Sequence, residues 1–429
     1  MRKILAFLGL GILPLIASAQ AGHIMQGIGA NNMSMGGAAT GQPLDINGAL
    51  HWNPAGITAF DSKIFSANAG LFFSSPELSS TVPTPSGSMT GVTKDDRGVS
   101  VMPALAMVWA KKNSNHRFGI SAFGISGFGV TFPENNSNPI NMPQSMGGFG
   151  RIESDYQLMQ VGLTYAYKIS KNFSIGIAPT FNYSSLELSP NPLASPDPAK
   201  GYPVSDKATA LGFGAQAGIY FQSDKGFKFG ISYKTEQSFN DFEFTNKYLD
   251  GSAAPDVKFK MNYPAIFSVG AGYSKNMIDL AVDYRLVNYK NTAGFEAKGW
   301  TTVASVAGFG WDDISVVSAG LQYKGIKKLP LRAGYTYSSN PIKPELAMFS
   351  TPATAIIKNA FQLGFGYEFT KHFTLNVVYH HGASGSATSG PMLSPMMKSG
   401  TNIYGAIPGS NVSYEMKTDL VMFGINYVF

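Results

Sequence analysis

Residues Met159–Lys168 read MQVGLTYAYK and, after the short turn Ser170-Lys171-Asn172, residues Phe173–Tyr183 read FSIGIAPTFNY. In the first stretch Met159, Val161, Leu163, Tyr165 and Tyr167 alternate with Gln160, Gly162, Thr164, Ala166 and Lys168. In the second, Phe173, Ile175, Ile177, Phe181 and Tyr183 alternate with Ser174, Gly176, Ala178, Thr180 and Asn182. Phe361–Phe369 repeats the pattern. A period of two with one large apolar face and one small or polar face is a β-strand. A soluble sandwich alternates in the same way, so the connections between strands decide the architecture.

Working outward, strands fall near 61–75, 99–112, 116–131, 154–169, 173–188, 208–223, 227–240, 258–273, 277–290, 312–324, 328–340, 358–369, 373–385 and 412–429, fourteen in all. Short turns (Asn113-Ser114-Asn115, Ser170-Lys171-Asn172, Asp224-Lys225-Gly226, Ser274-Lys275-Asn276, Gly325-Ile326-Lys327, Thr370-Lys371-His372) alternate with long loops near 76–98, 132–153, 189–207, 241–257, 291–311, 341–357 and 386–411. An even strand count with tight turns at one rim and long loops at the other is the pattern of an outer-membrane barrel. Tyr165, Tyr167, Phe173, Phe221, Phe227, Tyr273, Tyr323, Phe369, Phe373 and Tyr427 flank the short turns on the apolar faces, as an interfacial girdle requires. The fold expected is all-β: a fourteen-stranded antiparallel transmembrane β-barrel with both termini at the short-turn, periplasmic rim.

Composition agrees. Of 429 residues, 44% are hydrophobic, 13% aromatic and only 14% charged, with 48 glycines and no cysteine. Disorder is disfavoured, and disulfide frameworks and zinc–thiolate sites are excluded. The formal charge of +6 includes Arg2 and Lys3, and the scattered lysines make no nucleic-acid footprint. Arg2-Lys3, an apolar run Ile4–Ile16 and Ala17-Ser18-Ala19 predict a cleaved signal over residues 1–19. The run is too short for a membrane span of about 20 residues. No phosphate-binding loop, His-Glu-x-x-His metal motif or G-x-S-x-G elbow occurs, so an enzyme and a cofactor are not expected. His380 and His381, adjacent in a strand, point to opposite faces.

Residues 20–59 lack sustained alternation, and fourteen strands enclose a lumen too wide for wall side chains to fill. A segment of this size can fold inside it as a plug. Met33-Ser34-Met35-Gly36-Gly37-Ala38, Asp45 and Trp52-Asn53-Pro54-Ala55-Gly56-Ile57 carry a resemblance to the FadL/TodX family of outer-membrane transporters for long-chain fatty acids and other hydrophobic compounds, which implies a hatch over 20–59 plugging a barrel over 60–429. Phe229–Lys234, Tyr263-Pro264, Leu331–Tyr337 with Pro341, and the aromatic C-terminal strand support it. It implies a hatch motif at Gly36, Gly37, Asn53, Pro54, Ala55 and Gly56. It also implies that Asn53-Pro54-Ala55 lies beside an inward kink in the third strand that opens the wall sideways.

The third strand is disturbed on its own evidence. Phe118, Ile120 and Ala122 share one parity, which slips to Phe123 and Ile125 and then back to Phe128, Val130 and Phe132, with Gly124, Gly127 and Gly129 at the slips. Interior glycines and extra residues bend strands; the reading is either a closure bulge or a doorway for an apolar ligand. Candidate ligand contacts are Phe123 and Phe128, Arg285 or Arg332 for a carboxylate, Lys290 near an outer strand end, and Phe239 and Phe242 in an outer apolar surface with Leu186, Leu188, Leu193 and Phe244. Asp283, Arg285 and Arg332 form, alternatively, a network bracing hatch to wall. The expected function is passive uptake of fatty acids or other hydrophobic molecules across the outer membrane, with a general porin or a structural or adhesive barrel as rivals. Expected partners are the apolar ligand, outer-membrane lipid and the outer-membrane assembly machinery; the barrel is read as a monomer that binds no nucleic acid.

Overall fold

The computed structural model describes residues 22–429, so the leader expected at 1–19 lies outside the described residues. Fourteen wall strands run β1 (Ile64–Thr84), β2 (Val99–Ala110), β3 (His116–Phe132), β4 (Ile152–Lys168), β5 (Phe173–Ser189), β6 (Ala208–Gln222), β7 (Phe227–Lys234), β8 (Ala265–Lys275), β9 (Ile278–Asn288), β10 (Ile314–Tyr323), β11 (Leu331–Ser338), β12 (Asn359–Glu368), β13 (Phe373–Ala383) and β14 (Asn411–Val428). Each pairs antiparallel with its sequence neighbour. β14 closes on β1 from Ile64↔Val428 to Thr81↔Asn411. Closure removes the free edges that lipid cannot solvate.

The alternation read from the sequence becomes an outside and an inside. Phe118, Leu163, Ile177, Phe213, Phe229, Val282 and Leu363 stand exposed on the outer face, whereas their strand neighbours Arg117, Thr164, Ala178, Gly212, Gly230, Asp283 and Gln362 are buried toward the lumen. So much contiguous exposed apolar surface suits a lipid-facing wall.

Three boundaries differ from the sequence expectation. β1 does not stop near 75. It continues to Thr84 and folds back through Gly87–Lys94, so the first long loop is mostly a hairpin standing on the wall. The strand expected over 258–273 begins at Ala265. Residues 258–259 belong instead to Ala253–Phe259, an edge of a separate three-stranded sheet in which Phe242–Lys247 lies between it and Val204–Ser205. β7 ends at Lys234, and Ser238–Phe239 resumes the pairing with β6. These ladders are short: Phe242 and Phe244 alternate with Glu243 and Thr245 within only six residues, too brief a stripe to mark a strand of wall length.

The N-terminal segment fills the lumen. Helix α1 (Gly29–Ser34) packs against β11 to β14 and β1, α2 (Ile46–Trp52) against β1 to β3, and the 3-10 turn Pro54–Ala59 against β3 to β6. A chain that touches strands all around a closed wall lies inside it, and nearly every residue from Gly22 to Thr58 is buried. Asp45 caps α2 by accepting from the Gly48 N–H (3.2 Å). At the segment's end Arg117 donates to the Phe60 carbonyl (2.8 Å) and to Asp61 (2.7 Å), fixing the passage into β1.

Wall glycines set how closely the segment approaches. Gly218, Gly230 and Gly334 have no room for a Cβ, which would meet Asn53 Oδ1, the Thr40 carbonyl and the Gly36 nitrogen respectively. At Gly320 it would stand 2.5 Å from the Met35 carbonyl oxygen. Gly320→Val should therefore leave the barrel able to close but push Met35–Gly36 off the wall, at a cost of about 1–3 kcal/mol. Limited proteolysis of the folded variant should show a new cleavage inside residues 22–59, whereas wild-type protein resists it.

Candidate functional site

Two arrangements meet in the lumen: a clasp that holds the N-terminal segment and a break in the wall. The clasp is built on β9. Asp283 Oδ2 accepts from the Ala39 and Thr40 N–H groups (2.8 and 2.9 Å) and from Arg285 Nη2 (2.7 Å). Arg285 Nη2 also donates to the Gly37 carbonyl (2.6 Å), and its Nη1 to Ser318 Oγ (3.1 Å). The guanidinium carbon lies 3.6 Å above the Trp52 ring, a stacking geometry suited to Arg. Gly36 and Gly37 hold positive φ angles of 68° and 77°, which turn the chain so that its carbonyls face β9 and β11; Thr336 donates to the Gly36 carbonyl (2.9 Å).

The bracing alternative thus fits Asp283 and Arg285, but Arg332 stands apart. It donates to Gln322 (2.6 Å) and Asn376 (3.0 Å) and faces a polar recess of ≈ 860 Å³ beside the short turns, lined also by Lys324, Lys328 and Glu368. Lys290 lies half-exposed, 3.4 Å from Asp312.

The wall breaks between β2 and β3. Their ladder runs only from Ala110↔Arg117 to Ala104↔Phe123. Above it, Val99–Pro103 pair with β1 alone and Gly124–Phe132 with β4 alone. The β3–β4 register shifts between Gly124 and Ser126, so Ile125 is the bulged residue. From Phe123 to Phe132 no residue is exposed, while Phe118 below them is 53% exposed: the upper half of β3 turns inward.

Two other segments satisfy the freed edge. The Met25 N–H donates to the Ile125 carbonyl (3.0 Å), and the Gly127 N–H and Ser126 hydroxyl donate to the His23 carbonyl (3.2 and 2.7 Å). Nearer the outer rim the Thr131 N–H donates to Asp95 Oδ1 (2.6 Å) and the Asp96 N–H to the Thr131 carbonyl (2.8 Å). Burial pushes the Asp95 carboxyl up to about 6. Arg97 donates to the Ser154 carbonyl and to Asp155 (both 2.6 Å), and its guanidinium fills the space a Cβ on Gly129 would need. Gly124 has only ordinary contacts around it, the nearest being Pro103 across the break at 3.6 Å.

This corrects the expected partner of the kink. Asn53-Pro54-Ala55 does not hold it; His23–Met25 does. Asn53 donates to the Thr40 and Ile219 carbonyls (both 2.9 Å) and accepts from the Ala55 N–H (3.1 Å), while Pro54 and Ala55 lie against Gly176 and Gly218. The Gly56 N–H closes the turn on the Asn53 carbonyl (2.8 Å). The motif seats the segment on β5 to β7, on another arc of the wall.

The outer apolar surface is also rearranged. Phe239 and Phe242 are buried, Phe239 over Gly212 and Phe242 stacked with Phe244. Leu186, Leu188 and Leu193 line an apolar cavity that adjoins another, the two sharing Pro192, Val306, Phe349 and Pro352. Phe309 in the first cavity stacks on Phe295 (5.4 Å) and meets Phe128 edge-on (5.9 Å); Phe128 in turn stacks on Tyr156 (4.9 Å). Phe123 lies deeper, edge-on to His51. An aromatic column therefore leads from the outer cavities to the break. His23 sits inside it, hydrogen-bonded to the Tyr289 hydroxyl (2.7 Å). Sequence reading passed over His23, which carries no motif.

The profile of the outer membrane protein transport protein (OMPP1/FadL/TodX) family matches residues 15–428. The long-chain fatty acid transport protein of Salmonella typhi is 23% identical over 411 residues, covering 86% of this chain and 90% of that protein. The same protein of Escherichia coli K12 is 22% identical over 425 residues, with the same shares covered. Among solved structures, a Pseudomonas aeruginosa FadL homologue superposes with a TM-score of 0.70 at 13% identity, over 95% of this chain and 99% of that one. The Pseudomonas putida toluene transporter TodX gives 0.67 at 18%, over 94% and 99%. At these identities the superpositions show a shared fold.

The clasp yields a test. Asp283→Leu strands the Arg285 charge and two segment N–H groups in the lumen, a loss of about 3–5 kcal/mol. In planar bilayers the variant should open frequent ion-conducting events where wild-type protein is closed, and urea should release the segment at lower concentration.

Proposed function

Because the chain belongs to the OMPP1/FadL/TodX family of outer membrane transport proteins, we propose that it carries long-chain fatty acids or other hydrophobic small molecules across the outer membrane, releasing them sideways through the break between β2 and β3. The observation that carries this reading is the half-unzipped β2–β3 ladder, lying at the foot of an aromatic column that starts in the outer cavities.

The physics favours this route. An alkyl chain gains about 0.8 kcal/mol per CH₂ on leaving water. Capture in the outer apolar cavities collects that gain; passage between apolar rings preserves it, and exit into hydrocarbon avoids returning the chain to water. The movement is downhill and uses no nucleotide, cofactor or catalytic group, and a lumen filled by residues 22–59 argues against a general porin. In this reading Gly124, Gly127 and Gly129 let β3 turn inward, Phe123 and Phe128 line the path, and Asn53-Pro54-Ala55 seats the hatch without touching the ligand. The same protein works as a monomer, with outer-membrane lipid as the acceptor phase.

Gly124 is the first residue beyond the β2–β3 ladder, where an added Cβ makes only ordinary contacts with Pro103 and Met159, whereas substitution at Gly129 displaces Arg97. Gly124→Trp is therefore the clean test. Uptake of oleate by cells should fall close to that of cells lacking the protein, with the folded barrel still present in the outer membrane and oleate still bound by the purified variant. Wild-type uptake through the inserted variant would reject lateral release.

A further inference from the structure

Besides Arg117, Arg285 and Arg332, the barrel buries a lysine on its inner face, and this one has no counter-charge. Lys234, the last residue of β7, points inward on the same parity as Gly230 and Ser232 and is 2% exposed. Among the described residues, no carboxylate lies within 4.0 Å of its Nζ, unlike Arg285, whose charge Asp283 answers at 2.7 Å. Its neighbours are neutral: Gln160 Oε1 at 3.2 Å, His51 Nδ1 at 3.4 Å and the Tyr263 ring, centred 6.0 Å away.

The hydrogen bonds around it are unbalanced in one direction. An ammonium has protons only to give, so His51 Nδ1 accepts and the imidazole proton sits on Nε2. That Nε2–H is buried with no partner among the described residues, as are the Trp52 indole N–H and the Tyr263 hydroxyl. His51 and Trp52 are in contact, their ring centres 4.3 Å apart. Lys234 has two acceptors for three N–H bonds. Gln160 already presents its Oε1, held that way by the bond of its Nε2 to Asn182 Oδ1 (2.8 Å). Buried donors without acceptors are costly, and a buried unpaired charge more so. The group that satisfies such a set is an anion with several acceptor lone pairs and no proton to donate.

The aromatic column leads to this place. Tyr263 lies 5.8 Å from His23 between ring centres, His23 lies 4.9 Å from Phe295, and Phe295 stacks on Phe309 at the outer cavities. We propose that Lys234, with His51, Trp52 and Tyr263, is the head-group site for the carboxylate of an amphipathic ligand whose alkyl chain lies along the aromatic column. The assignment rests on the transport reading above and narrows it, from hydrophobic compounds in general to monocarboxylates. It also moves the head group away from Arg285, Arg332 and Lys290: the first is neutralised in the clasp, the second faces the opposite rim, and the third pairs with Asp312 at the surface.

Native mass spectrometry of the full barrel in detergent micelles, with oleate and oleyl alcohol as probes, tests the site. Wild-type protein should retain oleate over the alcohol by about tenfold, the worth of one charged hydrogen bond. Lys234→Met, close in volume and uncharged, should lose that preference while still binding the alcohol; Lys234→Arg should keep it. Without ligand, Lys234→Met should also unfold at a higher temperature than wild type, since it removes an unpaired buried charge; heat-modifiable gel mobility reports that each variant is folded. A wild-type barrel that binds acid and alcohol equally, or a folded Lys234→Met variant that still prefers oleate, overturns the head-group site and leaves hydrophobe transport standing. A wild-type barrel that binds neither probe overturns the transport reading itself.

Discussion

Backbone N–H and C=O groups at membrane depth have no water to turn to, and that constraint organises this molecule. Fourteen strands answer it by closing β14 onto β1 over the full length of the ladder. Closure creates the next problem, a lumen wider than its own side chains can fill. Residues 22–59 fill it, and they in turn are a chain of short helices and turns whose polar groups need partners. Wall glycines let that chain lie against the strands, and Asp283, Arg285, Thr336, Gln216 and Ser232 accept or supply its hydrogen bonds.

The break between β2 and β3 obeys the same rule. The freed edge of β3 is not left to lipid: His23–Met25 pair with it from the lumen and Asp95–Asp96 from the outer rim. Irregular backbone is tolerated at this depth because protein, not hydrocarbon, surrounds it. A wall with a broken ladder therefore needs a partner inside it, and the segment that fills the lumen also satisfies the edge the break frees. His23 lies where the two meet, its carbonyl on the kinked strand and its ring among the aromatic residues of the column.

Electrostatics distinguishes the buried cations of this small space. Arg285 and Asp283 neutralise each other and spend their remaining hydrogen bonds on the hatch backbone, so they fasten rather than bind. Lys234, on a neighbouring arc of the wall, has neutral company and surplus donors. Arg285 and Lys234 thus differ in whether a carboxylate stands beside them, and the head-group proposal rests on that difference.

The wall was legible in the sequence because alternation is local: Val161, Leu163 and Tyr165 face out and Gln160, Gly162 and Thr164 face in whatever strand lies beside them. Turn lengths gave the strand order, the slip at Gly124–Ile125 marked the bulge, and the absence of alternation over residues 20–59 marked the hatch. Periodicity assigns a residue to a face but not to a position around the barrel. Which arc receives Asn53-Pro54-Ala55, and that His23 rather than this motif supports the kink, depend on how a non-repeating segment packs against strands more than a hundred residues away. Arg285, Arg332 and Lys234 are equally inward cations by parity; only the tertiary structure places a carboxylate next to the first, a periplasmic recess before the second and none beside the third, because counter-charge is a matter of distance in space and leaves no mark along the chain.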